Sequence, residues 1–569
     1  MQPRQFSFIR DYLFILLIQF LCASSVLSDT LCRCASTDDC WPSDADWAKF
    51  NASIGGRLVA TAPLASVCHE PNYDADACNA LKLQWTSPFL HDEDSSSIMA
   101  AAVSNLTCDP FTPPDKPCTL GNMVSYAVNA TGPEDYASSI QFAHRRNIRL
   151  VIRNTGHDYL GRSTGANALS IWTHHLKNIT FLNYTSPQYQ GPAVKILAGV
   201  QVEDVYAAAD AKDMVVVGGD CASVGVAGGW TQGGGHSPLS SLFGMGADQT
   251  LEWEVVDGRG RLLKASPTEN PRLYWALSGG GAGTYGIVYS LTVKAHKGVS
   301  VTGVVMNFTS ADISKEVYYQ AIEEYHHHLP EYTAAGGVAI GAISVDSFSL
   351  TPLALPNMTA DAAKVLLTSL TSKLDGLGLP YHCKVETFPS FFAFYKALIE
   401  PNPTQLVQNG QYGGWFIPLD VIKGNNSGLT SAVRKITQEG AAFTGIGLNV
   451  SSPSIPNAVH PGWRESAINV ILSSPWPQEA NLSDMASLAK KMTNEWVPAV
   501  SALAPESGAY MNEADPQQPD WQNVFYGPNY DELLRIKQEF DPHDIFYAWT
   551  AVGSDRWFQN SNDALCRTT

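Results

Sequence analysis

Positive charge is scarce in this chain. Its 36 lysines and arginines stand against 54 aspartates and glutamates, for a formal net charge of −18. The acidic residues are spread thinly and no basic stripe is present to neutralise phosphates, which excludes nucleic acid as a partner class. Beyond the first thirty or so residues no apolar run reaches the roughly 20 residues needed to cross a bilayer core. Internal repeats and low-complexity tracts are also lacking. The one histidine run, His326-His327-His328, has no cysteine or carboxylate cluster beside it, and its members point different ways on a helix or a strand, so no metal site is expected. Charged residues make up only 16% of the chain and hydrophobic residues 45%, which is a globular composition, and 569 residues suffice for two substantial lobes.

What is present begins with a leader. Arg4 and Arg10 precede an apolar run from Tyr12 to Leu21 and small residues ending Val26-Leu27-Ser28, the layout of a cleaved secretory signal over residues 1–28. The run is short for a membrane span, so no stable anchor is expected. Cys32, Cys34, Cys40, Cys68, Cys78, Cys108 and Cys118 crowd the N-terminal part, and sequons begin at Asn51, Asn105, Asn129, Asn178, Asn183, Asn307, Asn357, Asn425, Asn449 and Asn481. Disulfides and N-glycans are therefore expected, in the extracellular space or a secretory lumen, with a vacuole as the alternative. Of 11 cysteines, Cys22 leaves with the leader. If Cys221 holds a cofactor, the nine others cannot all pair, and Cys383, alone in mid-chain, is the expected odd thiol.

Residues 29–116 read as a cysteine-rich wrapping segment of stapled turns rather than a core. From 117 to 300, β-branched runs such as Ile148–Ile152 and Met214–Val217 alternate with helical stretches at Glu134–Arg146 and Val202–Lys212, which suggests an α/β or α+β lobe. From 301 to 504 the spacing predicts helices over Ile313–His328 and Ala360–Leu374, between strands near Gly337–Ile343 and Gly414–Leu419, as a second lobe. Residues 505–569 carry a helix around Asp531–Phe540, ended by Asp541-Pro542, and are expected to rejoin the first lobe.

Gly281-Ala282-Gly283-Thr284-Tyr285-Gly286 matches the dinucleotide fingerprint letter for letter, but with a helix expected before it and a strand after it. That order is reversed for a nicotinamide site. Two other loops carry more. Arg153-Asn154-Thr155-Gly156-His157-Asp158-Tyr159 follows a strand and can aim successive backbone N–H groups at a diphosphate. In the second, Gly218, Gly219, Gly225, Gly228, Gly229, Gly233, Gly234 and Gly235 surround Cys221, a glycine density that lowers stability unless something must approach the backbone closely. Read alone, His157 suits a structural histidine and Cys221 a buried thiol or disulfide partner.

These two loops, the Leu277–Val288 run, Tyr526-Gly527-Pro528-Asn529 and Phe540-Asp541-Pro542 resemble the vanillyl-alcohol-oxidase-type flavoproteins, in the berberine-bridge-enzyme-like branch. Cys40-Trp41-Pro42-Ser43 and Cys108-Asp109-Pro110-Phe111-Thr112 are similar to secreted fungal members described as isoamyl alcohol oxidases. The resemblance implies an α+β, two-lobed fold, with a bipartite FAD-binding domain and a substrate domain built on an antiparallel sheet. It implies a bicovalent FAD, attached through His157 at the 8α-methyl and Cys221 at C6, links that hold the ring without a closed pocket and raise its reduction potential. Arg153, Asn154, Thr155, Gly156, Asp158, Gly219, Val224, Gly225, Gly228, Tyr526 and Asn529 would complete the cofactor site. Val224 matches the position gating oxygen in oxidases.

Ala509–Asp515 resembles the family's Tyr-X-Asn-Tyr-X-Asp strand beside the flavin, with Glu513 in place of the second tyrosine. On a strand Tyr510 and Asn512 share a face. Tyr510 is the expected base, provided nearby charge lowers its pKa, and Asn512 its orienting partner. Tyr412 and Trp415 are expected near the substrate. The implied reaction takes hydride from the hydroxyl-bearing carbon of a small alcohol and reduces O2 to peroxide, with oligosaccharide oxidation as a further alternative. A tailoring oxidase or oxidative cyclase of a natural-product pathway is the alternative, and an inert flavin-carrying or ligand-binding glycoprotein is the alternative of another class.

Overall fold

The computed structural model describes residues 32–568 apart from 402–406, 408–409, 451–452, 454 and 477–480, so the expected leader lies outside the described residues. Runs rich in valine, isoleucine and threonine, which suit a pleated and packed surface, build two sheets in the first part of the chain. One has four strands in the order Leu58–Ala60, Tyr126–Asn129, Ala168–Trp172, Arg149–Arg153. Its last three strands are parallel, and the central Ala168–Trp172 is buried at every position, as a parallel strand covered on both faces should be. The helix Pro133–Arg146 leads from the second of these strands to Arg149–Arg153. Pro133 opens it, Glu134 and Asp135 occupy its first turn, His144, Arg145 and Arg146 its last, and Asn147 stops it at φ 53°. Each of these choices matches the helix dipole or the end geometry.

The second sheet has five antiparallel strands in the order Ile179–Thr185, Gln190–Leu197, Ile287–Lys294, Thr250–Val256, Leu262–Ala265. The Gly281–Gly286 run lies between the helix Pro271–Leu277 and the strand Ile287–Lys294, the reverse of the dinucleotide-binding order.

A third sheet holds seven antiparallel strands, ordered Tyr381–Phe388, Val301–Thr309, Ser347–Pro356, Val338–Ile343, Ala442–Gly447, Ser466–Pro475, Gly410–Pro418. The helices Lys315–Ala334, Ala360–Gly376 and Leu419–Gln438 pack on it. In Ala360–Gly376 the buried Ala363, Leu367, Leu370 and Leu374 recur at three- and four-residue steps, and each buried leucine contributes about 2 kcal/mol. His326 and His328 lie on the buried face of Lys315–Ala334 while His327 is exposed. Burial lowers the His326 pKa to about 4, so it is a neutral core side chain.

The N-terminal segment is more than stapled turns. Leu58–Ala60 extends the first sheet, and Phe50 stacks on Phe142 with ring centroids 4.2 Å apart. Ala65, Trp85, Ile98, Cys108 and Met123 form a small core of their own, because apolar residues scattered through polar loops find one another only in three dimensions. Disulfides join Cys34–Cys40, Cys68–Cys78 and Cys108–Cys118, and a fourth, Cys32–Cys566, ties the start of the described chain to its end. Cys221 and Cys383 stand outside these bridges. The helix Tyr530–Phe540 returns the chain to the first sheet, where Phe546 bridges to Leu150. Among the described residues no helix is long and apolar enough to cross a membrane.

Candidate active site

The strand Arg149–Arg153 ends in a turn where Gly156 has φ 91°, a conformation glycine alone adopts readily. A Cβ at Gly156 would sit 2.5 Å from Arg153 Nη1, so the turn is tight as well as left-handed. It faces the Gly218–Gly235 loop and the Tyr510–Glu513 segment across a cavity of about 220 Å³. Asn154, Thr155, Gly156, His157, Asp158, Gly219, Cys221, Val224, Gly225, Gly228, Tyr510 and Asn512 all line it. Three residues expected there stand outside the lining. Arg153 is buried behind the turn, donating to His91 O at 2.9 Å. Tyr526 Oη donates to Thr550 O at 3.1 Å, and Asn529 Nδ2 to Ala458 O at 3.2 Å. Each donates to a backbone carbonyl and so braces the chain around the cavity.

Side chains behind the wall fix His157. Its Nε2 meets Ser223 Oγ at 2.7 Å, and Gln201 Nε2 donates to both Ser223 O at 2.8 Å and Asp92 Oδ2 at 2.7 Å. Burial raises the Asp92 pKa to about 6, against the Gln201 hydrogen bond that lowers it. On the opposite side, Arg162 Nε donates to Asp158 Oδ1 at 2.8 Å and its Nη2 to Asn512 Oδ1 at 2.9 Å. Asn512 Nδ2 in turn donates to Tyr510 Oη and to Gly229 O, both at 2.9 Å. One continuous network thus joins the His157 turn to the C-terminal segment.

The segment Ala509–Asp515 is not the strand expected from sequence. It is a turn, closed by Glu513 N–H donating to Tyr510 O at 2.9 Å, and Tyr510 meets Asn512 through this turn rather than through strand alternation. The condition set for Tyr510 as the base, that nearby charge lowers its pKa, is not met. Burial and the nearby Glu513 carboxylate raise it, outweighing Asn512 and Arg162, so the phenol holds its proton.

Three charged groups that the sequence reading gave no role complete the wall. His236 Nε2 lies 2.8 Å from Glu513 Oε1, and its Nδ1 lies 4.0 Å from Asp220 Oδ2. Glu513 Oε2 also accepts from Asn469 Nδ2 at 3.0 Å. Burial pulls the His236 pKa down, but Glu513 and Asp220 overcome it and raise the value to about 9. Asp220 is raised to about 6 by burial and by Glu513, with His236 acting in the opposite direction. The available signals were the position of Asp220 beside Cys221 and of His236 at the end of a glycine run; neither carries chemistry until Glu513 is brought in from across the fold. Trp415 is a core residue, with Nε1 donating to Ala504 O at 2.8 Å. Tyr412 stacks on the cavity-lining Tyr159, with ring centroids 4.4 Å apart.

The wall fits the flavin expected from the resemblance. A Cβ on Gly229 would meet no protein atom within 4 Å, and Cβ atoms on Gly228 and Gly283 would meet one atom each, at 4.0 and 3.8 Å, so these glycines open the backbone toward the cavity. The buried oxygens Asn154 Oδ1 and Asp220 Oδ1 have no hydrogen-bond partner among the described residues, which is a costly arrangement in a closed protein interior. Two side chains able to form covalent bonds, His157 and Cys221, stand in the same wall.

Comparison with known proteins agrees with this geometry. Residues 124–266 match the FAD binding domain family and residues 509–553 the berberine and berberine-like family. The FAD-linked oxidoreductase patO of Aspergillus clavatus is 59% identical over 541 residues, covering 95% of each chain. The bifunctional decalin synthase calF of Penicillium decumbens is 38% identical over 94% of this chain and 95% of its own. The crystal structure of the VAO-type flavoprotein MtVAO615 from Myceliophthora thermophila C1 superposes with a TM-score of 0.91 at 37% identity, covering 94% of this chain and 100% of that one.

Proposed function

The chain belongs to the FAD-linked oxidoreductases of the vanillyl-alcohol-oxidase and berberine-bridge type, and on that premise we propose that it oxidises a hydroxyl-bearing carbon of a small secondary-metabolite intermediate, with O2 as the final acceptor. Residues 117–300 and 505–569 would hold the cofactor, residues 301–504 would shape the substrate side, and the leader would send the protein into the secretory route. Bound FAD would supply the two-electron acceptor and return those electrons to oxygen.

His157 and Cys221 would attach the cofactor. The Ser223 hydrogen bond at Nε2 of His157 would hold the imidazole in the wall. Asn154 and the backbone of the 154–158 turn would bind its polar groups. Tyr510, protonated and held by Asn512, would donate a hydrogen bond and orient the substrate rather than act as base. Val224, small and in the wall, would leave oxygen a path. The observation that carries this reading is the convergence of His157, Cys221 and the Arg162–Asn512–Tyr510 network on one cavity.

A second reading, oxidative cyclisation or C–C dehydrogenation in the same kind of pathway, draws support from the likeness to calF, named a decalin synthase. An inert flavin carrier is disfavoured by the ionisable groups kept buried in the wall at a cost to folding. The deciding experiment is acid denaturation of the expressed protein, followed by absorbance and peptide mass. Flavin retained on peptides containing His157 and Cys221 is the expected result. Release of all flavin refutes the attachment, and a protein that binds none refutes the mechanism.

A further inference from the structure

Asp220 has no assigned part in the chemistry, yet its surroundings are unusual. Its side chain is only 9% exposed, it lines the cavity next to Cys221 in sequence, and Oδ1 has no hydrogen-bond partner among the described residues. A carboxylate buried for structure would be paired with a donor. Instead its nearest cation is His236, 4.0 Å from Oδ2, and that imidazole is already bound to Glu513 on its other side. The remaining titratable groups that face it are the phenols of Tyr206 and Tyr395, with Cys221 adjacent in the chain. None of these carries a positive charge.

We propose that Asp220 is the general base of the reaction, accepting the substrate's hydroxyl proton on its carboxylate while His236, clamped by Glu513, is the positioning residue that keeps that carboxylate ionised. The inference rests on the alcohol-oxidation reading above. In the step, the O–H bond breaks and its proton passes to Asp220. The carbon–hydrogen bond breaks with its electron pair going to the FAD, and the C–O bond becomes C=O. Two electrons leave the substrate and two enter the cofactor, which O2 later recovers as peroxide. Burial and Glu513 push the Asp220 pKa up and His236 holds it back, leaving it at about 6, close to the value at which a base is both ionised and basic at neutral pH. Burial and Glu513 raise the Tyr510 pKa as well, and for a phenol that keeps the proton on, so Tyr510 would not serve as the base.

The test uses the flavin-loaded protein. Difference infrared spectra across pH 4 to 9 should show a protonated carboxyl lost as pH rises through about 6, absent in Asp220→Asn. A carboxyl that is ionised throughout overturns the inference. Peroxide release is then followed on a panel of primary, secondary and benzylic alcohols. On the panel member that wild type oxidises, Asp220→Asn with both flavin links intact should lose on the order of 100-fold or more in kcat. Activity within about threefold of wild type, on the scale of that same loss, overturns it. If Asp220→Asn fails to hold flavin, His236→Gln decides: removing the cation should move the acid limb of the kcat profile to higher pH, and an unmoved limb overturns the proposal. Wild-type inactivity on every alcohol overturns the alcohol reading itself, and the base role with it. Loss of the Asp220 assignment alone leaves wild-type turnover intact, so the two failures are distinguishable.

Discussion

If Asp220 is retained for chemistry, neutralising it should stabilise the fold. Its carboxyl is moved from 3.8 to about 6, so the folded protein holds that proton more tightly than the unfolded chain. A group that binds more protons in the native state makes stability fall as pH rises. The cost is absent below pH 3.8 and complete once pH passes about 6, where a difference of this size is worth about 3 kcal/mol at about 1.36 kcal/mol per pH unit. The residue is nearly fully buried, so solvent screening removes little of it. Asp220→Asn escapes this cost. At about 2.1 cal/mol/K of unfolding entropy per residue over 569 residues, the variant's advantage in Tm should grow by about 2–3 °C between pH 4 and pH 8. Differential scanning calorimetry of wild type and variant on one pH grid measures this growth directly. A gap that is constant with pH, or a variant that melts progressively lower as pH rises, would mean that Asp220 holds the structure together and would refute the reasoning.

Two further outcomes follow from the packing. Gly229→Val should fold with an unchanged circular dichroism spectrum, because a Cβ there meets no protein atom within 4 Å. It should nevertheless fail to retain flavin, since its side chain occupies the cavity; full flavin content in the variant would count against this wall as the cofactor site. Lys537→Met should lower Tm by about 3–4 °C, because Lys537 Nζ donates to Asp541 Oδ2 and Phe546 O, each at 2.8 Å, in a fully buried setting. Breaking such a pair costs about 3–5 kcal/mol, and an unshifted melt would show that the helix Tyr530–Phe540 is held by apolar packing alone.

The sequence by itself determined the elements whose signals are local. The helix expected over Glu134–Arg146 is found as Pro133–Arg146, because its residue pattern is local. The reversed helix and strand around Gly281–Gly286 already spoke against a nicotinamide fold. His157 and Cys221 stood out because each sits in a turn whose glycines have no other reason to cluster. Cysteine parity pointed to Cys383 as the odd thiol, and it stands outside the four bridges.

Only the tertiary structure decided the electrostatics and the partners. Asp220 and His236 are 16 positions apart and Glu513 lies 277 residues beyond His236, so no window of sequence contains the three together. Their proton affinities come from burial and mutual distance, quantities that exist only after folding. The same holds for Tyr510: a turn, not a strand, brings it to Asn512, and burial beside Glu513 raises the pKa that a base role required to be lowered. Arg153, Tyr526 and Asn529 carry motif positions but lie outside the cavity lining, each donating to a backbone carbonyl. A motif names the residues that can do chemistry, and three-dimensional distance and desolvation decide which of them can hold or give up a proton.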